Sequence, residues 1–104
     1  MTATSTITRK QTPPPTESVV TAERFTEGMP TFVAWMAAIE KNKEIFQRHY
    51  DEWQPAAADI EAVTALVQQH GIKALVIGED WCPDVWRGLP VMARVGELTG
   101  MDVR

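Results

Sequence analysis

The sequence predicts an α/β chain, and three observations carry that prediction. Large apolar side chains recur at helical spacing between Phe32 and Trp53. An almost wholly apolar hexapeptide, Ile72–Ile77, lies between two glycines. A proline-opened helical stretch then runs to Gly100 and is followed by a second strand-like start, Met101–Arg104. Helical patterns alternating with strand patterns are the mark of α/β organisation.

At 104 residues and 11.6 kDa the chain has room for one domain. Fourteen Asp and Glu against ten Lys and Arg give a net charge of −4, which argues against the basic footprint of a nucleic-acid binder. No apolar run approaches the ~18 residues that cross a bilayer, so no membrane partner is expected. The first twenty residues also lack the apolar centre of a signal peptide. One cysteine, Cys82, excludes an internal disulfide framework and an all-cysteine metal site. With no export signal in view, a reducing cytoplasm is the expected compartment.

Three parts are expected: a tail over 1–22, a helical part over 23–70, and a mixed part over 71–104. The tail is rich in Thr, carries Pro13-Pro14-Pro15 and holds almost no large apolar side chain, so it cannot offset its ordering entropy. Arg9 and Lys10 precede any acid and resemble a transit peptide, but no amphipathic pattern accompanies them. A solvated, disordered tail is the expectation.

In the helical part, Phe32, Trp35, Met36, Ile39, Phe46, Tyr50 and Trp53 share one face of a single long helix. Glu40, Lys41, Lys43, Glu44 and Arg48 occupy the other side. Pro30 suits its first turn, with Thr31 as a competing cap. Gln54-Pro55 ends it. Asp59 is then placed to cap a second helix, Ile60–His70, with Val63, Leu66 and Val67 inward and Gly71 as its stop. Together these two helices make an N-terminal extension.

Ile72–Ile77 is too short for a helix and reads as a strand buried on both faces. Gly78-Glu79-Asp80 forms a turn, after which Pro83 and Asp84 suit the first turn of a helix. That helix passes through Val91, Val95 and Leu98 to Gly100. Cys82 therefore falls where a strand ends and a helix begins. Unsatisfied N–H groups and the positive end of the helix dipole favour an anion there, and a thiolate is one. The thiolate is the attacking species in disulfide exchange, so the position suits a redox nucleophile.

Strand, turn, Trp81-Cys82, and a helix with Pro90 eight residues beyond the cysteine resemble the active-site segment of the thioredoxin family. This agreement covers Ile72 to Arg104. Gly78-Glu79-Asp80-Trp81-Cys82-Pro83-Asp84 is further similar to a branch of bacterial thioredoxin-like proteins that carry a helical N-terminal extension. Phe25, Gly28, the helix around Phe32–Tyr50 and Pro90-Val91 fit that branch too. The resemblance implies a thioredoxin-like fold in which Cys82 is the catalytic residue. Trp81 lines its contact surface, and Pro83, Asp84, Val85 and Pro90 are its active-site neighbours.

Two departures from the family pattern shape the expectations. Val85 stands three positions after Cys82, where a dithiol protein has its resolving cysteine, so a mixed disulfide has no second thiol in the chain to release it. The chemistry is then single-thiol, with no cofactor and with an external thiol such as glutathione; the partner is a protein or low-molecular-weight disulfide or thiol. Asp84 brings a like charge near a nascent thiolate, or serves only as an N-terminal helix charge. The second departure is that one full strand and a four-residue stub make no sheet. A thioredoxin-like domain that is incomplete, or a strand that pairs with another chain, is expected, with an exposed strand edge in either case.

Other groupings are weaker. Glu79, Asp80, Cys82 and Asp84 are neighbours on a turn, rarely converge on one ion, and have no histidine close in sequence, so no metal is expected. His49 and His70 fall in separate helices and read as partly exposed helix residues. Trp35, Trp53 and Trp86 read as core. Arg87 either supplies positive charge to Cys82 or an anionic thiol, or is a solvated helix charge. Two readings of the whole chain stand: a thiol-redox protein acting through Cys82, and a non-catalytic binding module on the same fold.

Overall fold

Thr21 opens the first helix, in a computed structural model that describes residues 19–104. Its hydroxyl accepts a hydrogen bond from the Arg24 N–H at 3.2 Å, satisfying a donor that the helix cannot pair internally. Such a cap contributes about 1 kcal/mol. The helix it starts, α1 (Ala22–Thr26), buries Phe25. Of the tail expected over residues 1–22, residues 19–22 are described, and Ala22 is the first residue of this helix. The rest of that expectation, over residues 1–18, lies outside the described residues.

The single helix that periodicity predicts over Phe32–Trp53 is two helices, α2 (Phe32–Ala38) and α3 (Lys43–Glu52). Thr31 caps α2, its hydroxyl accepting from the Ala34 N–H at 3.0 Å. Between the helices Ile39 turns to an extended conformation, and Asn42 takes a left-handed one with φ 64°. Asparagine is among the few residues other than glycine that visit that region routinely. The cause of the break is a distant partner. The Asp80 carboxylate accepts from the N–H groups of Glu40 and Lys41, both at 3.0 Å. An unbroken helix would have bonded those two donors to its own carbonyls. The apolar face survives the break, because Ile39 and Phe46 both still reach the core.

The helix α4 (Ala57–His70) starts three residues before the position expected from Asp59. Ala56 is the cap residue, with no side-chain bond, and Asp59 lies in the first turn, where the helix dipole favours its charge. Gly71 ends the helix in a left-handed conformation, φ 61°, and donates to the Val67 carbonyl at 2.8 Å. Only a narrow stripe of α4 meets the later helix α5 (Pro83–Thr99), so Val67 is buried and Val63 half-buried, while Leu66, expected inward, is exposed.

A sheet does form. The strand β1 (Lys73–Ala74) pairs in parallel with β2 (Asp102–Val103), Lys73 opposite Asp102 and Ala74 opposite Val103. Two further bonds extend it: Arg104 N–H to the Ala74 carbonyl at 3.0 Å, and Val76 N–H to the Arg104 carbonyl at 2.7 Å. The short segment Met101–Arg104 is thus enough to supply the neighbour that the sequence reading denied. Nor is the hexapeptide buried on both faces. Ala74 and Val76 are half-buried, whereas Ile72, Leu75 and Ile77 are exposed, Ile77 at 88 %. That alternation is the two-residue period of a strand with one covered face.

The connecting helix α5 (Pro83–Thr99) runs to Gly100, which ends it at φ 79°. Its approach to the sheet requires a residue with no side chain: a Cβ on Gly96 would lie 2.7 Å from Val103 Cγ2. Phe32, Ile39, Phe46 and Leu89 form the buried cluster, with Val76, Val85 and Trp86 packed against it. Trp35 meets Phe46 edge-on at 5.9 Å, and Tyr50 stacks on Phe32 at 4.4 Å. Tyr50 also donates to the Glu97 carboxylate, while the Arg94 guanidinium lies over its ring at 5.3 Å. The hydrogen bond to Glu97, then burial, then that carboxylate's charge raise the Tyr50 pKa, and Arg94 partly opposes them. This network fastens α3 to α5, the most extensive helix contact among the described residues.

Candidate functional site

Cys82 is the N-cap of α5. Its backbone is extended (φ −86°, ψ 122°) and its carbonyl accepts from the Val85 and Trp86 N–H groups at 3.0 and 3.1 Å. Pro83 at the first helical position has no N–H to satisfy, and the Cys82 side chain makes no capping bond. The Asp84 N–H is thereby left as the unpaired donor of the first turn among the described residues. The thiol is half-buried, and Trp81 beside it is 62 % exposed. Cys82 thus stands at the positive end of a 17-residue helix and directly follows the exposed Trp81 in the chain.

The turn that carries the thiol is held from outside. Asp80, which the sequence reading placed in the turn and in the family motif and weighed as a metal ligand, accepts through its carboxylate from Glu40 and Lys41 and through its carbonyl from two side chains. These are the Asn42 amide at 2.9 Å and the Trp86 indole at 2.8 Å. Trp86 is thus more than core. Its indole holds Asp80 and its backbone N–H holds Cys82. The Asp80 carboxylate is engaged by Glu40 and Lys41, and no group of three His, Cys, Asp or Glu among the described residues is placed to hold a metal ion.

The N–H donors of Glu40 and Lys41, with a smaller part from the Lys41 charge, hold the Asp80 carboxyl below the usual aspartate range. A carboxyl depressed in the folded state contributes stability that is present above its unfolded value and lost as pH falls through the folded one. In an NMR titration the Glu40 and Lys41 amide shifts should therefore stay constant through the ordinary aspartate range and move only at lower pH. A midpoint at or above that of free aspartate would show that the carboxylate does not hold them.

The remaining sequence-singled residues divide between surface and interior. Pro83 and Asp84 are exposed, and Asp84 pairs with Arg87 at 3.7 Å with both side chains largely in solvent. A pair of that kind is worth at most about 1 kcal/mol, and it directs Arg87 to Asp84 rather than to the thiol. Val85 is half-buried and packs inward; a Cβ on Gly78 would lie 2.8 Å from its Cγ1. Pro90 is fully buried within α5, where it withholds a donor from the Trp86 carbonyl one turn earlier. A cavity of about 550 Å³ lies between α2, the sheet and α5, walled by Phe32, Trp35, Leu75, Met101 and Val103, but neither Cys82 nor Trp81 borders it. No helix among the described residues is long and apolar enough to cross a membrane.

A strand, a turn with Trp-Cys at its end, and a long proline-containing helix returning to a parallel strand are therefore in place. A family model described as Thioredoxin matches residues 29–104. The chain belongs to the thioredoxin family. No curated protein and no solved structure matches it at a significant level. The chain has one cysteine, and Val85 stands three residues after it. The matched region begins within the α1–α2 connection, so the helices that grip Asp80 lie inside the thioredoxin match. The bonds between Asp80 and the Glu40–Asn42 segment were missed by sequence reasoning. The one local signal was an asparagine inside a polar run, Glu40-Lys41-Asn42-Lys43, that interrupts an otherwise apolar face.

Proposed function

We propose that this thioredoxin-family protein carries out thiol–disulfide exchange through Cys82 alone, with an external thiol such as glutathione completing the cycle. The observation that carries the reading is the uncapped helix end at Cys82: one half-buried sulfur, one open N–H and the positive end of α5. The Cys82 thiolate attacks one sulfur of a protein or low-molecular-weight disulfide. A new S–S bond forms, and the other sulfur leaves as a thiolate. An external thiolate then attacks the mixed disulfide, freeing Cys82 and carrying the oxidation away as its own disulfide. Trp81 offers the apolar surface against which the substrate rests. A thiol-rich compartment such as the cytoplasm suits this cycle, because the second reductant must come from solution.

A second reading has its own support. Val85 is packed inward against Gly78, so the position of a resolving thiol is used for structure, as a non-catalytic binding module would use it. Reduction of hydroxyethyl disulfide with glutathione separates the two readings. The redox reading expects turnover that rises with glutathione and falls to background in Cys82→Ser. Turnover surviving that substitution would remove Cys82 from the chemistry, and no turnover at any thiol concentration would favour the binding module.

A further inference from the structure

Asp80 lies two residues before Cys82, and the four hydrogen bonds it receives come from both sides of the thiol. Three come from the break between α2 and α3: the Glu40 and Lys41 N–H groups and the Asn42 side-chain amide. The fourth comes from the Trp86 indole on the first turn of α5, and the same residue's N–H donates to the Cys82 carbonyl. The Cys82 N–H in turn donates to the Glu79 carbonyl at 3.3 Å. The turn is therefore closed at both ends, and one end is anchored in the break between α2 and α3. Asn42 holds a left-handed backbone to make its bond, so the segment is shaped around Asp80.

We propose that Asp80 and Asn42 form a clasp through which the α2–α3 break positions Cys82 at the helix end, so that the N-terminal helices set the reactivity of the thiol. Asp80 is a positioning residue and not a catalytic one, since its carboxylate is committed to two backbone N–H groups. The proposal rests on Cys82 being the nucleophile, but its test reads the sulfur directly and needs no turnover.

The experiment is the rate of Cys82 alkylation by iodoacetamide from pH 5 to 9, in the intact protein and three variants, with helicity checked by circular dichroism. Asn42→Gly keeps the left-handed backbone and the charge of Asp80 but removes one bond of the clasp. Asp80→Asn keeps an acceptor oxygen and removes the charge. Asp80→Ala removes both. Loss of a hydrogen bond worth about 1 kcal/mol corresponds to roughly fivefold, so alkylation at neutral pH should slow about fivefold in Asn42→Gly and more in Asp80→Ala. Asp80→Asn should stay near the parent rate. If Asp80→Ala does not fold, Asn42→Gly decides alone. Parent-like rates in Asn42→Gly and Asp80→Ala would overturn the clasp. So would an equal change in both Asp80 variants with none in Asn42→Gly, because charge alone would explain it. The parent's own rate against a free cysteine peptide is a separate readout, and equality there would sink the reading of Cys82 while the ratios still judge the clasp.

Discussion

On the proposed exchange, replacing Val85 by cysteine should make release of the mixed disulfide independent of glutathione, which is then needed only to reduce the internal disulfide left behind. Residues 82 and 85 are three apart at the start of α5, less than one helical turn, and a disulfide needs Cα atoms ~4.4–6.8 Å apart. Val85 packs inward against Gly78, so a thiol there would be shielded from solvent yet lie beside a mixed disulfide on Cys82. Short tethers give effective concentrations of about millimolar, so an internal thiol outruns external glutathione whenever the latter is more dilute. The chain should then show disulfide reduction whose release step no longer varies with glutathione, whereas the parent rate rises with it. Val85→Cys removes little buried volume and should cost about 1 kcal/mol of stability. A release step in Val85→Cys that follows glutathione as the parent's does would mean that the two sulfurs cannot meet, and that Cys82 does not sit as described.

Phe46→Ala should have the largest effect on stability. Phe46 is 0 % exposed, lies at the centre of the buried cluster and receives the edge of Trp35. Removing a buried phenyl ring costs about 3–5 kcal/mol through lost transfer energy and the cavity left behind. A core of this size rarely supplies more than about 3–5 kcal/mol in total, so the variant should be largely unfolded at 25 °C. Urea denaturation followed at 222 nm tests this, with the parent showing a cooperative transition and the variant little or none. A midpoint shift equivalent to less than about 1 kcal/mol would place the core elsewhere. The effect should also reach the thiol, because Phe46 anchors the helix that begins beside Asn42.

The thiol-bearing segment was legible in the sequence because its signals are local. Proline at the first helical position, aspartate behind it and glycine at the far end each act within a few residues, and α5 begins and ends where they place it. The strand between Gly71 and Gly78 was legible in existence but not in exposure, since an apolar run does not reveal whether one or two layers cover it. The break after Ala38 was not legible. Ile39 and Phe46 are seven apart, a spacing that an unbroken helix also produces, and the acceptor that stops the helix is Asp80, about forty residues away. Helix α1 was missed because five residues with one apolar anchor give no periodicity, and only Thr21 four positions before Phe25 hinted at it. Asp80 itself was read with its sequence neighbours, whereas its partners come from another part of the chain.

That separation has a bearing on how the molecule assembles. The bonds from Glu40, Lys41 and Asn42 to Asp80 close loops spanning 38 to 40 residues, so the entropy of bringing those ends together must be met before the turn is fixed. During synthesis the α2–α3 segment leaves the ribosome first, the sulfur-bearing loop arrives afterwards, and the berth takes shape around it. On the proposed clasp, the positioning of the thiol is then a late product of chain collapse, and a nascent chain lacking that berth would carry an ordinary, undirected cysteine.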